Sequence, residues 1–338
     1  MVKKLLYKKI GNKTIRCLAC HHNCVIPQNK TGICGVRKNT DGELDLLVYG
    51  KSPCYNIDPV EKKPLFHFLP GSYVFSFGTF GCNFGCLFCQ NYDISQYSKE
   101  NKENIKYWGE DLSPQQIIDF CLSNNIKVIA YTYNEPTIFV EYALDVMKLA
   151  KKNNIKNIFV SNGFMSDETI ELIKNYLDAI NIDLKSFSDD FYRKICFANI
   201  EPVKTNIKTF YDLHIWQEIT TLIISGLNDT DDELKKIASF IYNISSDIPW
   251  HISAFYPAYK MIDRSSTSID ILQKAYTIGK KVGLKYIYIG NVSNNYEDTI
   301  CPNCKNILVR RKGFFVKENS IVNNKCPKCQ TLIAGIWN

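Results

Sequence analysis

From residue 73 onward, short apolar runs alternate with amphipathic segments. The runs at 73–79, 127–132, 157–161, 179–184, 215–223, 250–255 and 286–290 are rich in β-branched and aromatic residues and read as seven strands. Between them, Ser113-Pro114 opens a helix whose Ile117, Ile118, Cys121 and Leu122 share one face. A second helix is expected over 137–152. Ser166 caps a third, with Asp167 and Glu168 in its positive first turn, and Asp231, Asp232 and Glu233 open another over 230–244. Strands separated by six helical stretches predict a parallel sheet with right-handed crossovers, an open or closed β/α barrel. The strands are nearly continuous apolar runs, as parallel strands covered on both faces are.

In such barrels function sits where the strands end. The residues there are Tyr133-Asn134-Glu135-Pro136, Ser161-Asn162-Gly163, Asp183-Leu184-Lys185, Ser225-Gly226-Leu227-Asn228-Asp229, then His251, Ser253 and Tyr256, and Gly290-Asn291. Turns and helix caps also use Asn, Ser, Asp and Gly, so each alone is unremarkable. The whole set on one rim is harder to read as turn chemistry.

Composition narrows the class. The chain has 338 residues, 45% hydrophobic and 22% charged, enough for one large domain with additions. No apolar run reaches 18 residues, so no membrane span and no membrane partner are expected. Lysines interrupt the N-terminal stretch, which does not read as a signal peptide. The net charge of +7 permits a nucleic-acid partner without requiring one. Fourteen cysteines would suggest a disulfide scaffold, but eleven fall into three metal-ligand groupings, leaving Cys54, Cys121 and Cys196 scattered. A reducing cytoplasmic setting, low in oxygen, is the expectation.

The first grouping is Cys82, Cys86 and Cys89 in Gly-Cys-Asn-Phe-Gly-Cys-Leu-Phe-Cys-Gln-Asn, directly after the first strand. Four-iron clusters normally take four cysteines, so three thiolates leave one iron open to a small molecule. A zinc knuckle is the alternative, with His67 or Cys54 as fourth ligand. The pattern resembles the signature of the radical S-adenosylmethionine (SAM) enzymes. That resemblance implies that the open iron of a [4Fe–4S] cluster chelates the methionine end of SAM. An electron from the cluster then releases a 5′-deoxyadenosyl radical.

A SAM pocket needs groups for an amino acid, a ribose and an adenine. Glu135, with the backbone at Asn134, is the candidate for the ammonium, although Tyr133-Asn134 stands where the superfamily usually has two glycines. Asp183 and Lys185, two apart on one strand, face the same side, and burying both in plain core would be costly. Ser161 and Asn162 offer further contacts, His251 could reach the ribose, and Phe88 could pack on the adenine. Each of these also has an ordinary structural reading.

Two groupings remain. Cys301-x2-Cys304 and Cys326-x2-Cys329 flank a hairpin-like stretch and read as a structural zinc ribbon. Cys17, Cys20, Cys24 and Cys34 suit zinc or a second iron–sulfur cluster equally in count, and His21 or His22 could replace one of them. Cys196, just past the Lys185 strand, is either a buried small hydrophobe or a thiol near the radical site.

The chain is similar, nearly end to end, to the pyruvate formate-lyase activating enzyme group, and within it to the AmmeMemoRadiSam branch. Its carrying residues are the head at 16–37, the stretches 61–68, 131–136 and 288–292, the Cys82 loop, and the cysteine-rich tail. The resemblance implies a partial (β/α)6 TIM-like barrel over 71–295, with an N-terminal Cys-rich extension over 1–70 and a C-terminal zinc-ribbon-like module over 296–338. It implies hydrogen abstraction from a macromolecular substrate, protein favoured over RNA, with a reductant such as ferredoxin or flavodoxin. RNA modification and a non-catalytic multi-zinc scaffold are the competing readings.

Overall fold

The computed structural model describes residues 6–100, 108–293 and 295–338. The chain divides into two compact units. The first comprises the chain to Asp58, Tyr73–Asp178 and Ile195–Ala198; the second comprises Pro59–Ser72, Ala179–Lys194 and Asn199–Asn338.

The first unit begins with a three-stranded antiparallel sheet, β1 (Tyr7–Gly11), β2 (Thr14–Cys17) and β3 (Val25–Ile26), and a hairpin of β4 (Arg37–Thr40) and β5 (Glu43–Leu46). Next come β6 (Lys51–Ser52), β7 (Cys54–Pro59), β8 (Tyr73–Gly78), the short helices α1 (Tyr92–Ser95) and α2 (Tyr97–Glu100), and β9 (Glu110–Asp111), which pairs with β6. Helix α3 (Pro114–Ser123) starts where expected. Ser113 accepts from the Gln116 amide, and the Gln116 side chain accepts from the Ser113 amide, a reciprocal cap. Ile117, Ile118 and Cys121 are buried beneath it, whereas Leu122 is exposed. Strands β10 (Val128–Tyr131) and β11 (Lys156–Ser161) run parallel, and β10 is also parallel to β8.

The helix expected over 137–152 is shorter. Residues Pro136–Phe139 form a 3-10 turn and α4 spans Val140–Lys152. Pro136 has no N–H to give, and the Glu135 carboxylate takes the Thr137 amide, so the first turn closes tightly rather than as a full α-turn. Ser166 caps α5 (Asp167–Ile173) through the Thr169 amide.

In the second unit β12 (Ala179–Asp183), β13 (Trp216–Ile223), β14 (Trp250–Ala254) and β15 (Ile287–Gly290) form consecutive parallel pairs. The helices are α6 (Asp189–Phe191), α7 (Glu201–Asp212), α8 (Asp231–Ile244), capped by Thr230, and α9 (Ile269–Val282). Helix α9 stops at Gly283, whose left-handed backbone (φ +113°) and contact with Tyr242 exclude a side chain. The tail is an antiparallel sheet of β16 (Thr299–Ile300), β17 (Ile307–Lys312) and β18 (Phe315–Asn319). Phe66, Tyr286, Tyr288, Leu308, Val309, Ile333 and Trp337 pack into one apolar cluster beneath it. The chain is therefore α/β with parallel strands. No helix among the described residues is long and apolar enough to cross a membrane.

Candidate active site and metal centres

The cysteine loop follows β8 after Thr79, Phe80 and Gly81. Asn134 ties its start down: its carbonyl oxygen accepts from the Thr79 amide (3.1 Å), and its amide donates to the Gly81 carbonyl (2.7 Å). Tyr133, which precedes it, adopts a left-handed backbone (φ +68°). The Asn134 side chain is thus a brace for the loop. Further along, the Gly85 and Leu87 amides donate to the carbonyls of Cys196 and Ile195 (2.9 and 3.0 Å), and a β-carbon on Gly85 would press on Phe197 at 3.0 Å. Cys86 and Phe88 are buried, and Cys82 and Cys89 are partly exposed. Cys196 is fully buried and contributes its carbonyl here. Burial pushes the Cys82 thiol up, so the thiolate form requires a cation beside it. A donor set of three thiolates on one backbone-braced loop, one of them partly exposed at each end, fits a four-iron cluster with one iron left to an outside ligand.

Glu135 is buried and saturated. One carboxylate oxygen accepts from the Thr137 amide and hydroxyl and from the Ser161 hydroxyl (3.0, 2.5 and 2.8 Å); the other accepts from the Asn162 amide at 2.7 Å. Burial raises its pKa, and these donors pull the other way. The structure brings Glu135, Ser161 and Asn162 together and spends the carboxylate on holding the ends of β10 and β11. Asn162 reaches onward and donates to the Asn83 side chain at 2.7 Å, linking this cradle to the residue after Cys82. Asn83 was not singled out from the sequence; its place inside the cysteine motif was the one available signal.

In the second unit Asp183 and Lys185 pair at 2.8 Å, with the Lys185 side chain largely covered and Asp183 one-third exposed. The Tyr192 hydroxyl accepts from the Lys185 amide (3.1 Å) and Asn228 donates to its carbonyl (2.7 Å), which fixes the backbone there. His251, expected to reach a ribose, is partnered within the protein. Its Nε2 donates to Glu218 at 2.6 Å, and its ring packs on Phe66 and Tyr288. The other Glu218 oxygen accepts from the His67 amide (2.7 Å) and Trp216 (3.1 Å), and the Phe66 amide donates at 3.0 Å. Burial raises the pKa of Glu218, but the His251 hydrogen bond and charge outweigh it and hold the carboxyl below its ordinary range. An acid in the middle of an apolar strand was the sequence signal for this pair, and the strand's hydrophobic pattern masked it.

The tail cysteines converge. Cys301 and Cys329 stand 3.6 Å apart, as do Cys304 and Cys326, and all four sulfurs lie within 4.8 Å of one another. Sulfurs about 2.3 Å from a tetrahedral ion are about 3.8 Å apart, so this group fits one closed metal ion. The N-terminal four line one cavity instead. There the buried Arg37 donates through Nε to Cys17 Sγ at 3.2 Å, while its other nitrogens grip Glu141 at 2.6 and 2.7 Å. Burial pushes the Cys34 thiol up to about 11, so it too needs a cation to ionise.

These features coincide with what comparison shows. Residues 77–241 match the model of the Radical SAM superfamily. An uncharacterized protein of Methanocaldococcus jannaschii is 38% identical over 97% of this chain and 98% of its own length. The pyruvate formate-lyase-activating enzyme of Clostridium pasteurianum is 21% identical over 48% of this chain and 67% of its own. A GTP 3′,8-cyclase of Limosilactobacillus fermentum is 23% identical over 69% and 74%. Among solved structures, a radical SAM methyltransferase from Sphaerobacter thermophilus shares the fold at a TM-score of 0.50, with 13% identity over 68% of this chain and 69% of that one. The chain belongs to the radical SAM superfamily and is an enzyme. Membership implies a [4Fe–4S] cluster and SAM.

Proposed function

We propose that this enzyme abstracts hydrogen from a macromolecular substrate, a protein, in the manner of a glycyl-radical activase. The observation that carries the cofactor chemistry is the three-thiolate loop, braced at its start by the Asn134 side chain and further along by backbone hydrogen bonds from Gly85 and Leu87, with no fourth cysteine in it. With a cluster and SAM bound, the chemistry supplied is one-electron reductive cleavage of SAM, giving a 5′-deoxyadenosyl radical that takes hydrogen from the substrate.

The residues divide the work. Cys82, Cys86 and Cys89 would hold three irons of the cluster. Asn134 positions the loop, and Glu135 locks Ser161 and Asn162 at the strand ends, acting through them on the cofactor cradle. Asp183 and Lys185 offer a carboxylate and an ammonium to SAM's polar groups, and Phe88 offers an aromatic face. A zinc ion at Cys301, Cys304, Cys326 and Cys329 is structural, since a closed four-thiolate site leaves no position for substrate. The protein-substrate reading draws on the relative named for activating pyruvate formate-lyase. A small electron-transfer protein such as ferredoxin or flavodoxin would serve as reductant.

Anaerobic protein reduced with dithionite in the presence of SAM should form 5′-deoxyadenosine, and Cys86→Ala should form none. Undiminished product from that variant would sink the reading. Deuterium transfer between a candidate polypeptide and deoxyadenosine would identify the substrate class.

A further inference from the structure

The four N-terminal cysteines are not among the groups whose ligand atoms all lie within 4.8 Å of one another. Cys17, Cys20, Cys24 and Cys34 line one cavity, together with His22, Arg37 and Asn83.

The molecule supplies two internal standards. Among the described residues, Cys301, Cys304, Cys326 and Cys329 are the group whose ligand atoms converge within 4.8 Å. The Cys82, Cys86 and Cys89 triad, which the superfamily uses for a four-iron cluster, is not so convergent, and neither is the N-terminal set. In a cubane each cysteine binds its own iron, so the sulfurs stand further apart than around one ion. By spacing, the N-terminal set belongs with the cluster loop and apart from the tail.

The surroundings are those of a built site. Arg37 is 2% exposed, and its Nε donates to Cys17 Sγ. Glu141, itself fully buried, holds the guanidinium in that orientation through both carboxylate oxygens. A fixed charged donor to a ligating sulfur is a means by which a protein tunes a cluster. The chamber also adjoins the Cys82 loop. Gly81 packs against the Cys34 carbonyl, where a β-carbon would stand 2.6 Å from the oxygen. His22 Nε2 hydrogen-bonds the Asn83 carbonyl at 2.9 Å. Both neighbours of Cys82 therefore rest on the N-terminal site.

We propose that Cys17, Cys20, Cys24 and Cys34 hold a second [4Fe–4S] cluster, next to the first. This assignment does not depend on the identity of the substrate or on SAM cleavage.

The test uses the full chain, purified anaerobically with iron and sulfide supplied. The triple variant Cys82→Ala, Cys86→Ala, Cys89→Ala removes the first cluster. It should keep about four irons and four sulfides with one zinc per chain, and give an EPR signal on reduction, while forming no deoxyadenosine. Fewer than three irons in that variant, with two zincs or with none gained, overturns the proposal. In the complementary variant Cys17→Ala, Cys24→Ala, iron should fall from about eight to about four. Should that variant fail to fold, the triple variant alone decides, because it leaves the N-terminal site intact. Loss of deoxyadenosine in wild-type protein carrying eight irons would count against the SAM reading and leave the second cluster standing.

Discussion

Gly81 and Cys34 meet backbone to backbone: a β-carbon on Gly81 would stand 2.6 Å from the Cys34 carbonyl oxygen, 2.8 Å from Val36 and 3.1 Å from Ile138. Gly81 also has φ +93°. Gly81→Ala should therefore suffer both backbone strain and a clash, whereas Gly226→Ala, at φ +75° in open space, should suffer strain alone. The first should lower stability by about 2–3 kcal/mol and the second by about 1. Thermal melts and iron content compare them. Equal melting temperatures for the two variants would mean that the Gly81 contact carries no weight.

Arg37 and Glu141 form a buried bidentate pair. Removing one partner strands a charge, so Glu141→Gln should cost about 3–5 kcal/mol, while replacing both with apolar residues (Arg37→Met, Glu141→Leu) should cost less than the single change. Denaturant midpoints on the reconstituted protein measure this. A double variant worse than the single one would show that the pair is net stabilising.

His67 is fully buried and neutral. The Ala334 carbonyl only accepts, so Nδ1 carries the proton toward it (2.7 Å), and Nε2 takes the Tyr288 hydroxyl proton. Burial lowers its pKa from 6.5 to about 4, against the pull of Glu218. The unfolded chain thus binds more protons between those values. The stability this group contributes is present above pH 6.5 and is lost as pH falls toward 4, by up to about 3 kcal/mol. His67→Gln should flatten the profile of denaturation midpoint against pH in that window. An unchanged slope would remove His67 as its origin.

Chelating the tail metal should loosen the segment around β16–β18 and leave the parallel strands of its unit folded. The reason is that Phe66, Tyr286 and Tyr288 share a core with Leu308, Val309 and Ile333 irrespective of the metal. Cys304→Ser should lower bound zinc by one equivalent and expose the stretch after Cys301 to protease, with the far-ultraviolet circular dichroism nearly unchanged. Global unfolding on chelation would show that the metal, rather than the apolar cluster, holds the unit.

The sequence alone determined the alternation of parallel strands and helices, because buried parallel strands must be apolar and two helix starts carried a legible cap: Ser113 and Ser166 cap as read. It also grouped the tail cysteines, whose four sulfurs converge in the fold, since ligand spacing within a loop is a local property. It did not determine what the polar rim residues do. Glu135 read as a ligand group, but only the folded chain shows its carboxylate filled by Thr137, Ser161 and Asn162. His251 read as facing a ribose, and only the packing of β13 beside β14 sets it against Glu218. Hydrogen-bond partners far apart in sequence follow from strand order and register, which no local pattern encodes. The same holds for the head cysteines: their count left zinc and iron–sulfur open, and the tertiary structure set their spacing, with Arg37 and Glu141, 104 residues apart, arranged around them.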